Sequence, residues 1–301
     1  MKVTYDLLDE FLVDRYATGA SEVTIEDYRN HLRRFFIFCG DLQDPELSNK
    51  LLRDYQVYLR EIPSINSVSV RSYCRALKVF LRWLYIEEHT ETDYSLRFRL
   101  PKEEKRVIRV LTDNEIRQLY RQFSSETFTG VRNRLIVQLM LDSGLRLAEV
   151  LYLEDTDISV ISRQIIVYGK GSKERIVPIS FDTCDLIMDY FGIFGTFFGS
   201  YPSGRIFRCT DGRPLSSNAV KNLFRKLKVS TGIERLHPHL LRHTFATRYI
   251  RNGGNQAVLK EILGHSTLKM TSVYLHLSDS TLRENFDSFS PVSQLKKGGL
   301  L

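Results

Sequence analysis

The stretch HPHLLRHTFAT, residues 237–247, places three histidines and an arginine within seven residues, with Pro238 where a helix can begin. His239 and Arg242 stand three apart, so on a helix opened by Pro238 both address one spot. A metal centre, a catalytic cluster and a plain basic patch all fit this segment alone. The surrounding chain decides among them.

The chain has 301 residues, 43% hydrophobic and 26% charged, which describes a folded protein with room for two domains. No apolar run is long enough to cross a bilayer, and MKVTYDLLDEFL at the start lacks the basic-then-apolar build of a secretory signal. A cytoplasmic protein is expected. Cys39, Cys74, Cys184 and Cys209 lie far apart with no CxxC pair, so reduced thiols are expected and a disulfide framework or cysteine–zinc site is not. A net charge of +7 suits a polyanionic partner, although many basic proteins bind none.

Helical spacing dominates residues 1–97. VTIEDYRNHLRRFFIFCG (23–40) puts Tyr28, Leu32, Phe35 and Phe36 on one face, with Gly40 as a stop. NKLLRDYQVYLREI (49–62) ends at Pro63, and SVSVRSYCRALKVFLRWLYIEE (67–88) offers Val70, Tyr73, Leu77, Phe80, Leu81 and Leu84 to a core. On its polar side Arg71, Arg75, Lys78 and Arg82 form one stripe with no acid among them; such charges usually make a solvated face, and here a track for nucleic-acid phosphates is favoured over it. RFRLPKEEKRVIRV holds few core residues, so 98–110 reads as a linker; TDNE then supplies a capping box from Thr112 to Glu115.

The second domain, 111–290, is mixed. VRNRLIVQLMLDSG reads as a buried helix stopped at Gly144, followed by a further helix in LRLAEVLYL. QIIVYGKGSKERIVPIS reads as a β-hairpin about a glycine-rich turn. Helices are expected in DTCDLIMDYFGIF, SSNAVKNLFRKLKVSTG, PHLLRHTFATRYIRNGG, NQAVLKEILG and STLKMTSVYLHLS, the last capped by Ser266.

The cations concentrate where an anion would sit. Arg146 precedes a helix N-terminus, where backbone N–H groups and the helix dipole favour negative charge. Lys170 is carried by the hairpin turn, His265 follows Gly264, and Tyr274 lies nine residues on. No HExxH motif and no GxSxG elbow is present, so neither a zinc hydrolase nor a serine hydrolase fits. Guanidiniums matched to non-bridging oxygens, with a tyrosine hydroxyl as nucleophile, suit a phosphodiester.

GLRLAEV, GKGSKERIVPI, HPHLLRHTFAT and LGHSTLKMTSVY, in that order, resemble the tyrosine recombinase (phage integrase) family. The likeness covers nearly the whole chain and is to its short, Xer-like form without an arm-binding domain. The resemblance implies a mainly α fold with a small β component: an N-terminal helical, SAM-like core-binding domain and a mixed α/β catalytic domain, closing as a C-shaped clamp on DNA. It implies Arg146, Lys170, His239, Arg242, His265 and Tyr274 as catalytic residues, with Glu149 supporting them. His243 then reads as a structural helix residue, and His237 as a cap or a phosphate neighbour. Lys170 and Lys173 compete for the hairpin role; the GKG placement favours Lys170, leaving Lys173 and Arg175 to contact backbone phosphates.

The same resemblance implies a reaction that needs no cofactor, metal or ATP. Tyr274 would attack a scissile phosphate and join its 3′ side, with Lys170 protonating the 5′ oxygen that leaves. Strand exchange would then pass through a Holliday junction. The expected partners are a double-stranded DNA recombination site and three further protomers, as a homo-tetramer or a hetero-tetramer with a second recombinase. The role would be integration, excision or resolution of a mobile element or of replicon dimers. SGLR and YLH stand where the family usually has TGLR and YTH, which weakens a housekeeping assignment. A type IB topoisomerase-like nicking-closing enzyme shares the covalent chemistry but forms no synapse. A non-catalytic DNA-binding regulator would have been free to lose part of the set.

In the tail, 277–301, Leu282, Phe286 and Phe289 form an apolar stripe. Docking in trans on a neighbouring protomer and docking on its own domain are both open to it.

Overall fold

The computed structural model describes residues 2–43, 45–102, 109–168, 174–264 and 286–299. The chain divides into two compact units, 1–107 and 108–301.

In the first unit four helices, α1 (Tyr5–Ala17), α2 (Glu22–Asp41), α3 (Asn49–Glu61) and α4 (Ser67–Ile86), are followed by the short α5 (Tyr94–Arg97). Ser21, Ser48 and Asn66 each accept an N–H from the first turn of the helix they precede, which fixes three starting points. Ile62 is extended ahead of Pro63, as a residue before proline must be, and α3 stops there. The expected stop at Gly40 is displaced. Gly40 lies inside the last turn of α2, and Gln43 takes the positive φ of 58°.

The core of this unit is largely aromatic. Phe11, Phe35, Phe36, Tyr55, Phe80 and Trp83 are buried, with Phe11 edge-on to both Phe80 and Trp83. The segment expected to begin a loose linker belongs to this unit. Phe98 is buried in its core, while Gln56, Lys78 and Arg71 donate to the carbonyls of Arg99, Phe98 and Pro101.

In the second unit the helices are α6 (Asp113–Tyr120), α7 (Phe128–Asp142), α8 (Leu147–Tyr152), α9 (Phe181–Phe198), α10 (Ser217–Thr231), α11 (Pro238–Arg251), α12 (Gln256–Leu263), α13 (Phe286–Phe289) and α14 (Pro291–Lys297). The capping box expected at α6 is formed. Thr112 Oγ1 accepts the Glu115 N–H at 3.3 Å, and Glu115 accepts the Thr112 N–H at 2.9 Å. Strands β1 (Ile158–Ser159), β2 (Gln164–Tyr168) and β3 (Glu174–Pro178) form an antiparallel sheet in that order, with Ile165 opposite Val177. The hairpin is the expected one; β1 is an addition too short to leave a pattern in sequence.

Helix α7 is the spine of this unit. Leu135 to Leu141 are buried on every side, and α9, α11 and α14 pack around it. Helix α14 brings Val292 and Leu295 into the same core, and α13 brings Phe286 against Phe245. This part of the tail therefore docks on its own unit.

Candidate active site

Two glycines shape the floor of the site. Gly144 closes α7 at φ 66°, and a Cβ there would stand 2.5 Å from the Phe245 ring. Gly264 ends α12 at φ 61°, with a Cβ position 3.0 Å from Cδ of Arg175. Glycine lets the first turn pack against the Phe245 ring and the second against the Arg175 side chain.

Arg146 is the N-cap residue of α8. Three residues on, Glu149 turns back and accepts the Arg146 backbone N–H and its Nη1, each at 2.7 Å. The same carboxylate receives Nη1 and Nη2 of Arg175 at 2.9 and 2.8 Å, a two-pronged contact from β3. Nη1 of Arg242, on α11, is 4.0 Å away. Burial pushes the Glu149 carboxyl up, but the bonds from Arg175 and the Arg146 N–H outweigh it, holding the group below the ordinary carboxylate range.

Arg242 is fixed at both Nη atoms, each donating at 2.6 Å, one to the Gly144 carbonyl and one to the Leu263 carbonyl. Burial, then the charge of Arg146, pushes its pKa down to about 10, so it remains a cation at neutral pH. Three guanidiniums thus converge on one carboxylate and leave two positive charges in excess. They differ in access: 37% of the Arg146 side chain is open to solvent, against 11% for Arg175 and 8% for Arg242. An approaching anion meets Arg146 first.

On α11, His237 caps the helix by accepting the Leu240 N–H at Nδ1, 3.2 Å, which selects the cap over the phosphate neighbour. His239 and His243 are exposed on the same helix. Burial and then the neighbouring His239 press the pKa of both His237 and His243 below the ordinary histidine value.

Of the residues expected in the site, Arg146, Glu149 and Arg242 are brought together, with His239 one turn from Arg242. Lys170, Lys173, His265, Tyr274 and Leu282 lie outside the described residues, as does the whole segment expected as the helix after Ser266.

Arg175 and the α4 stripe, both expected at DNA phosphates, have partners within the chain. Arg175 does not face outward: Nε donates to the Ile262 carbonyl at 2.8 Å while both Nη atoms hold Glu149. The α4 stripe is also engaged at home. Arg82 pairs with Asp93, which supplies the acid missing between residues 71 and 82, while Arg71 and Lys78 donate to carbonyls of the segment after α5. Arg75 is exposed. The helix expected in SSNAVKNLFRKLKVSTG is α10; it has no acid, and its exposed side carries Lys221, Arg225 and Lys226, to which the motifs assign no role. Its lack of acids was the available signal.

Among the described residues no group of three or more histidine, cysteine or acidic side chains is arranged to hold a metal, and no helix is long and apolar enough to cross a membrane.

Comparison with known proteins places these motifs in one family. The model of the phage integrase family matches residues 109–281. Tyrosine recombinase XerC of Bacillus licheniformis is 30% identical over 277 residues, covering 90% of this chain and 91% of the relative. Tyrosine recombinase XerD of Staphylococcus haemolyticus is 27% identical, covering 91% and 94%. In fold, the chain is similar to a lambda integrase dimer bound to a core site, with a TM-score of 0.70 at 20% identity, covering 91% of this chain and 95% of that one. With the family model matching residues 109–281 and the arginines of three of the quoted motifs meeting at Glu149, the chain belongs to the phage integrase family and is a tyrosine recombinase, an enzyme that cleaves and rejoins DNA.

Proposed function

We propose that this protein is a site-specific recombinase in which the Arg146–Glu149–Arg242 cluster binds the scissile phosphate of duplex DNA. The observation that carries this reading is the convergence of three guanidiniums on Glu149, with Arg146 the open one. Such preset cations favour charge that builds on non-bridging oxygens as the phosphorus is attacked. Glu149 keeps Arg146 and Arg175 from repelling each other and holds the Arg146 stem against α8.

The remaining roles follow the family resemblance. The Tyr274 hydroxyl gives its proton to His239 and attacks phosphorus, the bond to the 5′ oxygen breaks, and Lys170 supplies that oxygen with a proton. His265 positions the phosphate. The step reverses when the 5′ hydroxyl of a partner duplex attacks the phosphotyrosine, so one phosphodiester is replaced by another with no energy source. Four protomers on two sites, alike or of two kinds, would carry out both exchanges in the cytoplasm. Exposed Arg75, the α10 cations, and Lys173 of the hairpin turn are the proposed backbone contacts, and α13 and α14 would exchange between neighbouring protomers' docking grooves during assembly. XerC and XerD relatives match about equally well, so the replicon or mobile element served is left to the DNA target.

Trapping on nicked suicide DNA tests this directly. Wild type should give a covalent protein–DNA adduct in denaturing electrophoresis and Tyr274→Phe none. An adduct with both would place the nucleophile on another tyrosine.

A further inference from the structure

The carboxylate of Glu149 is shared unevenly. Oε1 takes Nη1 of both Arg146 and Arg175, while Oε2 takes the Arg146 backbone N–H and Nη2 of Arg175. Arg146 thus meets the acid with one guanidinium nitrogen and Arg175 meets it with two. A two-pronged contact uses both oxygens at once and leaves room for one guanidinium in that geometry. Arg175 is held in this pose from three directions. Its Nε donates to the Ile262 carbonyl at 2.8 Å, its Cδ lies beside Gly264, where a Cβ would stand 3.0 Å away, and its backbone is paired with Val167 across the hairpin. Little of the side chain reaches solvent, so an anion that meets Arg146 does not meet Arg175.

We infer that Arg175 is a positioning residue for strand cleavage: by filling the two-pronged face of Glu149, it keeps the fork of Arg146 for the scissile phosphate. The assignment rests on the role proposed for Arg146. Were that face of Glu149 vacant, Arg146 would close on it with both prongs, and the cation meant for the phosphate would be neutralised by the protein's own acid. Lysine at position 175 does not prevent this. Its ammonium is a point charge without a planar fork, and it cannot hold both Glu149 oxygens and the Ile262 carbonyl in one fixed arrangement. The loss then falls on the chemical step, which depends on exact placement of charge. The hold on DNA, spread over many phosphates, is kept.

The experiment uses the full chain and nicked duplexes carrying the sequence that the chain selects from a random pool. Single-turnover cleavage with protein in excess gives a rate constant and an amplitude separately, and fluorescence anisotropy gives the affinity. Arg175→Lys should cleave at least about tenfold more slowly, at full amplitude and with affinity within about twofold of wild type. A lower amplitude with an unchanged rate constant marks a smaller folded fraction, and overturns the positioning role. Glu149→Gln should be slowed as well, and adding Arg175→Lys to it should cost less than about a further twofold; losses that multiply overturn action through Glu149. A substrate with sulfur in place of the 5′ bridging oxygen expels a thiolate and needs no proton donor. Arg175→Lys should stay slow on it, whereas recovery would assign Arg175 to the hairpin and Lys170, and overturns the proposal. Arg146→Lys separates the two layers. Its cleaving as fast as wild type overturns the role of Arg146 itself; slow cleavage by Arg146→Lys beside undiminished cleavage by Arg175→Lys overturns the positioning role alone.

Discussion

Arg175 shows how much a side chain's meaning depends on what the fold brings to it. In sequence it is one of several cations around a glycine-rich turn; in the structure it bridges β3, α8 and the end of α12 through Glu149 and the Ile262 carbonyl. Replacing it by glutamine leaves a buried carboxylate short of its main partner. We expect a stability loss of about 3 kcal/mol, read by chemical denaturation, with the salt dependence of DNA binding unchanged. A fall in that salt slope would return Arg175 to the phosphate contacts. Glu149 and Glu115 also set the response to acid. The Arg235 side chain foremost holds Glu115 at about 2, against an ordinary 4.5, and Glu149 too is depressed. The unfolded chain therefore takes up protons first as pH falls below the ordinary value, so this stabilisation is full above it and is lost on descending toward about 2. Denaturation midpoints measured across that range should fall with pH, and Glu115→Gln should flatten the slope.

At the scale of elements, two junctions are exacting. Gly144 joins α7 to α8 in the left-handed region with the Phe245 ring at its back. Gly144→Ala combines backbone strain with overpacking and should cost on the order of 3 kcal/mol, seen as a lowered melting temperature. The other junction is the docking of α14. Ser290 caps it, accepting the Ser293 N–H at 3.2 Å, and donates its hydroxyl to Asp142. Asp142 also takes the hydroxyls of Ser180 and Thr183, at 2.6 and 2.7 Å, and burial raises its pKa. Ser290→Ala should raise hydrogen exchange in 286–297 by about tenfold or more while α7 stays protected. Equal exchange would show that Phe286, Val292 and Leu295 hold the tail unaided. Much at this scale could be read from sequence, because periodicity, N-caps and prolines act within one turn: α2, α3, α4, the α6 box and the hairpin all follow. The α4 stripe was legible as a face but not in its pairings, since its partners Asp93, Phe98 and Pro101 come 11 to 30 residues later. Arg175 and Glu149, 26 residues apart, were unreadable as a pair for the same reason.

For the whole molecule, two separate hydrophobic cores mean two separately stable bodies. A fragment of residues 1–107 should melt cooperatively by circular dichroism, since Phe98 and the carbonyls held by Lys78 and Arg71 travel with it. A fragment cut at residue 97 should melt lower. The second unit has no such convenient division, because its last helices return to its first. Phe286, Val292 and Leu295 complete a core begun by α7, and Ser290 reaches the carboxylate at the end of that helix. During synthesis these residues are made long after the helix they pack on, since α7 ends at Asp142 and they begin at Phe286. Until they emerge, the nascent domain carries an unsealed groove with the Asp142 carboxylate at its base. A chain stopped before residue 286 leaves apolar core side chains uncovered, which is the form of a domain that chaperones and proteases act on.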